Sequence, residues 1–278
     1  MAVTAAQVNE LRNLTGAGLM DCKKALTESN GDIQAAIDFL RKQGAKVAEK
    51  RAGREVTEGC IVALTTPDGK RGVVSYLSCE TDFVAKNDEF RGFAEAIAKA
   101  ALDNNAQSLE DLLALTLDGV AIKDKLQEKV SAIGELINIA SFERLEGDNI
   151  VAYNHAGNKI GVLVSLTNTP SEASAAAGKD VAMQVAAMNP LAVDASGVPA
   201  EIVEREVAIA KEKAAASGKP EAILQKIAES AAQSYLKENT LLTQPFVKDG
   251  SKTVAQYLAE AEKGLAVVAF KRIALGLK

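Results

Sequence analysis

At 278 residues and roughly 150 residues per domain, the chain has room for about two domains, or for one domain with appendages. Apolar residues at 47% and charged residues at 25% supply ample core, while 4% aromatics and no Trp exclude stacking platforms for single-stranded nucleic acid. A net charge of −5 argues against wholesale binding to DNA or to an anionic membrane. Cys22, Cys60 and Cys79 form no Cys-x-x-Cys pair, and an odd number of cysteines suits reduced thiols in a cytoplasm. The opening Met1-Ala2-Val3-Thr4 lacks the pattern of a signal peptide, and no apolar run is long enough to span a bilayer. A zinc protein, a secreted scaffold and a membrane protein are thereby excluded.

Residues 1–44 read as a domain of three short helices. Thr4 and Gln7 make a capping box ahead of Val8, Leu11 and Leu14 at helical spacing, and Gly16-Ala17-Gly18 breaks the run. Leu19, Cys22, Ala25 and Leu26 form the next apolar stripe. After the Asn30-Gly31 turn, Asp32 is the N-cap of a third stripe, Ile33, Ala36, Ile37 and Leu40, closed by Gly44. Between 45 and 58 the apolar period disappears and Lys46, Lys50, Arg51 and Arg54 accumulate. That is the pattern of a solvated basic linker with helical character near its start.

From Gly59 the period becomes strand-like. Ile61-Val62-Ala63-Leu64, the turn Thr66-Pro67-Asp68-Gly69 and Val73-Val74-Ser75-Tyr76-Leu77 describe a β-hairpin. A helix follows from about Asp88, with Phe90, Phe93, Ala94, Ile97 and Ala101 on one face, and another carries Ile122, Leu126, Val130 and Ile133. Near Ile150 the plan recurs: Ile150-Val151-Ala152-Tyr153, a turn around Ala156-Gly157-Asn158, Val162-Leu163-Val164-Ser165-Leu166, then a helix through Val181, Val185 and Met188. Aligned without gaps, the hairpins match at an offset of 150 − 61 = 89. Identical pairs are Ile61/Ile150, Val62/Val151, Ala63/Ala152, Lys70/Lys159, Gly72/Gly161, Val73/Val162 and Leu77/Leu166. Composition alone gives on the order of one or two such matches in so short a window. Two related β-hairpin–helix subdomains, 59–140 and 141–198, are therefore expected from an internal duplication.

Residues 199–238 differ. Pro199 opens a helix with Val203, Val207, Ala210 and Ala214 on one stripe, Ser217-Gly218-Lys219-Pro220 is a stop and restart, and Leu224, Ile227, Ala228, Ala231 and Tyr235 continue the pattern. Such narrow, Ala-rich stripes suit a protruding antiparallel helical hairpin. Residues 239–278 complete the second subdomain through Pro245, a short helix capped by Ser251 and a final strand around Ala266–Phe270. The fold class is α+β with antiparallel sheets.

Catalysis on the chain itself finds little support. His155 is the only imidazole, and it falls at a hairpin tip, a poor place for a base that a third group must orient. A hydrolase built on Cys79, His155 and Asp82 is thus disfavoured. Gly16-Ala17-Gly18-Leu19-Met20-Asp21-Cys22-Lys23-Lys24 superficially resembles a phosphate loop, yet it lacks the terminal Gly-Lys-[Ser/Thr] and the strand that feeds such a loop. The chain is expected to hold no nucleotide, cofactor or metal. Two segments stand out instead. Met20 lies off its stripe, beside Lys23 and Lys24, either as a partner contact or as a partly exposed Met at a domain edge. Thr81-Asp82-Phe83-Val84-Ala85-Lys86-Asn87 joins a strand to a helix without an apolar period of its own. Spacing alone favours burial of Phe83 beneath that connection, the alternative being an aromatic wedge offered to another protein.

The run Leu14-Thr15-Gly16-Ala17-Gly18-Leu19-Met20-Asp21-Cys22-Lys23-Lys24-Ala25-Leu26 resembles the N-terminal signature of the bacterial elongation factor Ts family. Cys79-Glu80-Thr81-Asp82-Phe83-Val84-Ala85-Lys86-Asn87 resembles its second signature. Ile133-Gly134-Glu135, Ile137-Asn138-Ile139, Tyr153-Asn154-His155 and Gln244-Pro245-Phe246-Val247 also fit, in the expected order along essentially the whole chain. The resemblance implies a guanine-nucleotide exchange factor for elongation factor Tu, with a ubiquitin-associated-like N-terminal domain, two related core subdomains and a helical hairpin. It further implies that Thr81, Asp82, Phe83 and Val84 form the wedge that disturbs the Mg²⁺ site of Tu. Arg12, Met20 and Lys23 would dock the N-terminal domain on the nucleotide domain of Tu. Ile133 and Gly134 would meet Tu near the phosphates, and His155 and Val247 would face its third domain. A C-terminal helix that grips Tu in some members is expected to be missing after Ile273-Ala274-Leu275-Gly276-Leu277-Lys278. The hairpin serves self-association in some relatives, and its weak stripe here leaves a homodimer open. The alternative from another class is an adaptor whose three-helix domain binds ubiquitin-like or helical ligands without altering a nucleotide; such a protein gains nothing from Phe83.

Overall fold

The structure is a computed structural model that describes residues 3–215 and 220–276. It opens with α1 (Ala5–Thr15), α2 (Leu19–Glu28) and α3 (Ile33–Arg51). The Thr4–Gln7 capping box is present, with both reciprocal bonds made, and Asp32 caps α3 by accepting from Ala35 N at 2.8 Å. Leu11, Cys22, Leu26, Ala36 and Leu40 close a small core between the three helices.

The first sheet contains β1 (Glu58–Thr65) and β2 (Arg71–Cys79). The chain then runs through α4 (Asp82–Ala85), α5 (Asp88–Asp103), α6 (Leu109–Ala114), a ribbon of β3 (Thr116–Leu117) and β4 (Val120–Ala121), and α7 (Ile122–Ile133). It returns as β5 (Asn138–Glu146) to give the antiparallel order β1-β2-β5. Phe90, Ile97, Leu112, Ile122 and Val130 pack the helices beneath this sheet.

A second antiparallel sheet has the order β10-β7-β6, from β6 (Asn149–Asn154), β7 (Ile160–Leu166) and, much later, β10 (Val267–Ala274). Between them lie α8 (Glu172–Met188), α9 (Ala200–Ala215), α10 (Glu221–Asn239), the ribbon β8 (Pro245–Phe246) and β9 (Asp249–Thr253), and α11 (Val254–Ala261). Val162, Val181, Val185, Leu241 and Leu258 form its core. The principal neighbour of α9 is α10, and no residue of α9 is fully buried. The fold is α+β. No helix among the described residues is long and apolar enough to cross a membrane.

The sheets face each other through Ile61, Ala63, Val74, Ile150 and Leu163. The 89-residue offset recurs in their register: Ile61 pairs with Tyr76, and Ile150, 89 further on, pairs with Ser165, 89 beyond Tyr76. The contacts across the interface are reciprocal. A methyl on Gly72 would lie 2.7 Å from Ile150 Cγ2, and one on the matching Gly161 would lie 2.6 Å from Ile61 Cγ2. Glycine lets each hairpin accept the isoleucine of the other. Asn154 adds a two-point link, accepting from Ala63 N at 2.8 Å and donating to Ala63 O at 2.9 Å.

Several local expectations require correction. The last strand extends to Ala274, because β10 stays paired with β7 to the end of that strand. The short helix is capped by Thr253, in a box with Gln256, while Ser251 lies in β9 with its hydroxyl on Asp249. The stop-and-restart at Ser217-Gly218-Lys219-Pro220 lies, apart from Pro220, outside the described residues.

The larger correction concerns Gly44 and the linker at 45–58. Gly44 does not close the third helix; α3 continues to Arg51, and Val47 and Ala48 pack on the core of the first sheet. At Gly44 the helix crosses α7 so closely that an added methyl would lie 2.1 Å from the carbonyl oxygen of Gln127. Arg41 fixes the same crossing through Glu128 at 2.7 Å. Alanine is favoured over glycine inside a helix by roughly 1 kcal/mol, so an unobstructed site would gain stability from Gly44→Ala. Here the methyl meets backbone, and the substitution is expected to lower the melting temperature, overpacking costing about 1–3 kcal/mol. Thermal unfolding followed by circular dichroism reads the sign, and a raised Tm would refute so close a crossing.

Candidate partner-binding site

Strand β2 ends at Cys79, and α4 follows as a single capped turn. Thr81 has extended backbone and accepts from Val84 N at 3.5 Å, while Asp82 and Lys86 pair at 2.6 Å along the outer side. At about 100° per residue, four helical residues can bury only one side. Ala85 is buried and Val84 packs on the core, leaving Asp82 and Phe83 on the other side. Burial of Phe83, favoured by spacing, is thus overturned: the ring is 83% exposed. The space beneath the connection is already filled by Cys79, Ala85 and Phe90.

Opposite this turn, α7 ends at Ile133, 38% exposed, and Gly134 closes it with φ +80° and its N–H on Val130 O at 2.8 Å. A cleft of about 400 Å³ separates the two segments, lined by Phe83, Val84, Phe90, Ala132 and Ile133, and by Gly16 from the N-terminal helices. The fold therefore gathers the Thr81–Val84 turn, the end of α7 and the α1–α2 connection around one opening. Glu80 and Glu135, which the sequence reading left without a role, lie at the base of the two segments and bond across to them. Burial raises the pKa of Glu80, but the Leu136 N–H and the Arg51 and Arg54 guanidiniums outweigh it, holding the carboxyl below its usual range.

On the N-terminal helices Arg12, Met20 and Lys23 are all exposed, Met20 by 72%. Leu14 and Leu19, members of the apolar stripes, are 60% and 50% exposed. They occupy the facing ends of α1 and α2 beside the Gly16–Gly18 connection, beyond the reach of the three-helix core. A helical stripe read by period alone cannot see where its helix stops. His155 and Val247 belong to the second sheet's unit and line no part of the cleft. His155 is exposed after β6, with Nδ1 3.0 Å from the Tyr153 hydroxyl. Val247 is 46% exposed, on a loop fixed by buried Gln184, which accepts from Val247 N at 2.8 Å and donates to Gln244 Oε1 and Pro245 O.

A family model described as elongation factor TS matches residues 80–277 of this chain. A curated elongation factor Ts from Amoebophilus asiaticus is 49% identical over 276 residues, 99% of this chain and 100% of that protein. Those from Christiangramia forsetii and Methylococcus capsulatus are 47% and 45% identical, covering 99% of this chain and 99% and 93% of their own lengths. The chain belongs to the elongation factor Ts family. Its function is that of the family, guanine-nucleotide exchange on elongation factor Tu in translation elongation.

The three groups considered for nucleophilic chemistry are each engaged elsewhere in this elongation factor Ts fold. The Cys79 thiol donates to Thr81 O at 3.2 Å, Asp82 holds Lys86, and His155 faces Tyr153. Burial, with Glu135 and Glu58 nearby, pushes the Cys79 pKa up to about 12, and burial also raises those of Cys22 and Cys60. At pH 8 on the order of one Cys79 thiol in ten thousand is then ionised, and the thiolate is the reactive form. All three cysteines are buried and unpaired. The folded chain is expected to show no fast-reacting thiol toward an aromatic disulfide reagent at pH 8, and three after unfolding. A single fast thiol in the folded state would contradict these burials.

Proposed function

We propose that the chain accelerates GDP release from Tu by pressing the Thr81-Asp82-Phe83-Val84 turn into the nucleotide domain of Tu, displacing the structure that holds Mg²⁺. Phe83 carries this reading, as a large aromatic ring left 83% exposed on a capped turn. An apolar side chain of this size gains about 1.5–3 kcal/mol when fully buried, a gain that Phe83 can realise only on a partner. Ile133 and Gly134, across the cleft, approach Tu near the phosphates. Arg12, Met20 and Lys23 seat a ubiquitin-associated-like N-terminal domain on the same domain of Tu, with the exposed Leu14 and Leu19 widening its apolar area. His155 and Val247 face the third domain of Tu from the second of two subdomains, which we take to be products of internal duplication.

The mechanism is linkage. GDP and Mg²⁺ bind Tu cooperatively, so a partner that prefers the Mg²⁺-disrupted form weakens GDP by the same coupling energy. Each tenfold loss of affinity takes about 1.4 kcal/mol, within reach of one buried ring. GTP then refills the site and the exchange factor leaves. The chain forms no covalent bond in this cycle and works in the cytoplasm without binding nucleic acid or membrane. A second copy of the chain, if one binds, has its place on the α9–α10 hairpin, where Ile209 and Ile223 are exposed.

Release of a fluorescent GDP analogue from cognate Tu tests the reading. Substoichiometric chain is expected to accelerate release strongly. Phe83→Ala is expected to reduce that acceleration roughly ten- to hundredfold while leaving Tm nearly unchanged, because the ring, 83% exposed, packs on little in the free chain. Full acceleration by a folded Phe83→Ala variant would sink the wedge.

A further inference from the structure

Two carboxylates cross-stitch the Phe83 turn to the end of α7. Glu135 Oε2 accepts the backbone N–H groups of Glu80 and Thr81, both at 3.1 Å, and its Oε1 accepts the Thr81 hydroxyl at 2.7 Å. In the opposite direction, Glu80 Oε1 accepts the Leu136 N–H at 2.7 Å. Each carboxylate thus holds the backbone beside the other. Glu80, with only 9% of its side chain exposed, also takes Arg51 at 2.8 Å and Arg54 at 3.1 Å. The last turn of α3 and the residues just after it join the same knot.

The knot reaches the wedge through one hydroxyl. Having given its proton to Glu135, Thr81 Oγ1 can present only lone pairs to Val84 N–H, the bond that closes the turn. Phe83 has almost no packing of its own to aim it, so the backbone of this turn decides where the ring points. Hydrogen bonds to an ionised acceptor are roughly twice as strong as neutral ones, and here four of them join two short connections that loops of this kind ordinarily leave mobile.

We propose that Glu135 and Glu80 are positioning residues for nucleotide exchange, holding the Phe83 turn, the Ile133–Gly134 terminus and the end of α3 as one body. Seating the N-terminal helices on Tu then aims the ring, because α3 carries that seat to the knot. This inference rests on the wedge reading of Phe83, and an ångström of misplacement at such a contact costs on the order of a hundredfold in the worst case.

The test uses Glu135→Ala, and Glu135→Gln as a variant of similar size, each alone and combined with Phe83→Ala. In the free chain, amide hydrogen exchange at Glu80 and Thr81 is expected to quicken by about tenfold, while Val74 within β2 stays protected. On Tu loaded with the fluorescent GDP analogue, the maximal release rate is expected to fall roughly tenfold. In the Phe83→Ala background the same change is expected to cost clearly less, about threefold, the remainder passing through Ile133 and Gly134, which the knot also holds. An equal loss in both backgrounds would mean a general structural role and overturn the proposal, as would unaltered amide exchange. Should Phe83→Ala release GDP at full rate, the wedge falls and the positioning with it. Should Phe83→Ala slow release and the Glu135 variants not, the positioning alone falls.

Discussion

Where α3 crosses α7, the backbone at Gly44 lies against the carbonyl of Gln127, and only a residue without a side chain permits that approach. The contact joins an otherwise separate three-helix core to the first sheet's helices and sets the direction in which that core presents α1 and α2. The same α7 ends at Ile133–Gly134 and is bound through Glu135 to the turn that carries Phe83. Three groups proposed to meet a partner thus share one frame, although about 120 residues of chain separate the first from the last. Without the crossing, Arg12, Met20 and Lys23 would sit on a tether, and the contact proposed for them could not aim the Phe83 turn.

The two facing sheets provide the rest of that frame. Each hairpin receives an isoleucine of the other at a glycine, and Asn154 stitches its own strand to Ala63. The two hairpins, packed face to face, bury a shared apolar layer that neither could bury alone. The second unit then carries His155 and Val247 outside the cleft, where the proposed contact with a second part of Tu places them. Exchange asks for that breadth, since the chain acts by binding one form of its partner better than another.

Phe83 shows the physical logic in small. Little in the free chain covers the ring, and the turn beneath it carries a threonine cap, an Asp82–Lys86 pair and the Glu135 carboxylate on Thr81. Rigid presentation of an unsatisfied apolar group lowers the ordering cost of association, so more of the burial energy remains to act on the partner.

Much of this was legible in the residues. The Thr4–Gln7 capping box, the 89-residue repeat, the change of period at Gly59 and the Ala-rich hairpin are local or periodic signals, and short-range backbone physics makes them readable without a fold. The signatures around Met20 and Phe83 likewise identified the family. Tertiary structure decided what depends on neighbours distant in sequence. Gly44 reads as a helix stop until α7 is seen to lie against it. Leu14 and Leu19 belong to apolar stripes whose helices end short of the core, and Phe83 reads as buried until Cys79, Ala85 and Phe90 occupy the space below. Glu80 and Glu135 carry no periodic signal at all, because a hydrogen bond between segments 55 residues apart leaves no mark on either segment alone.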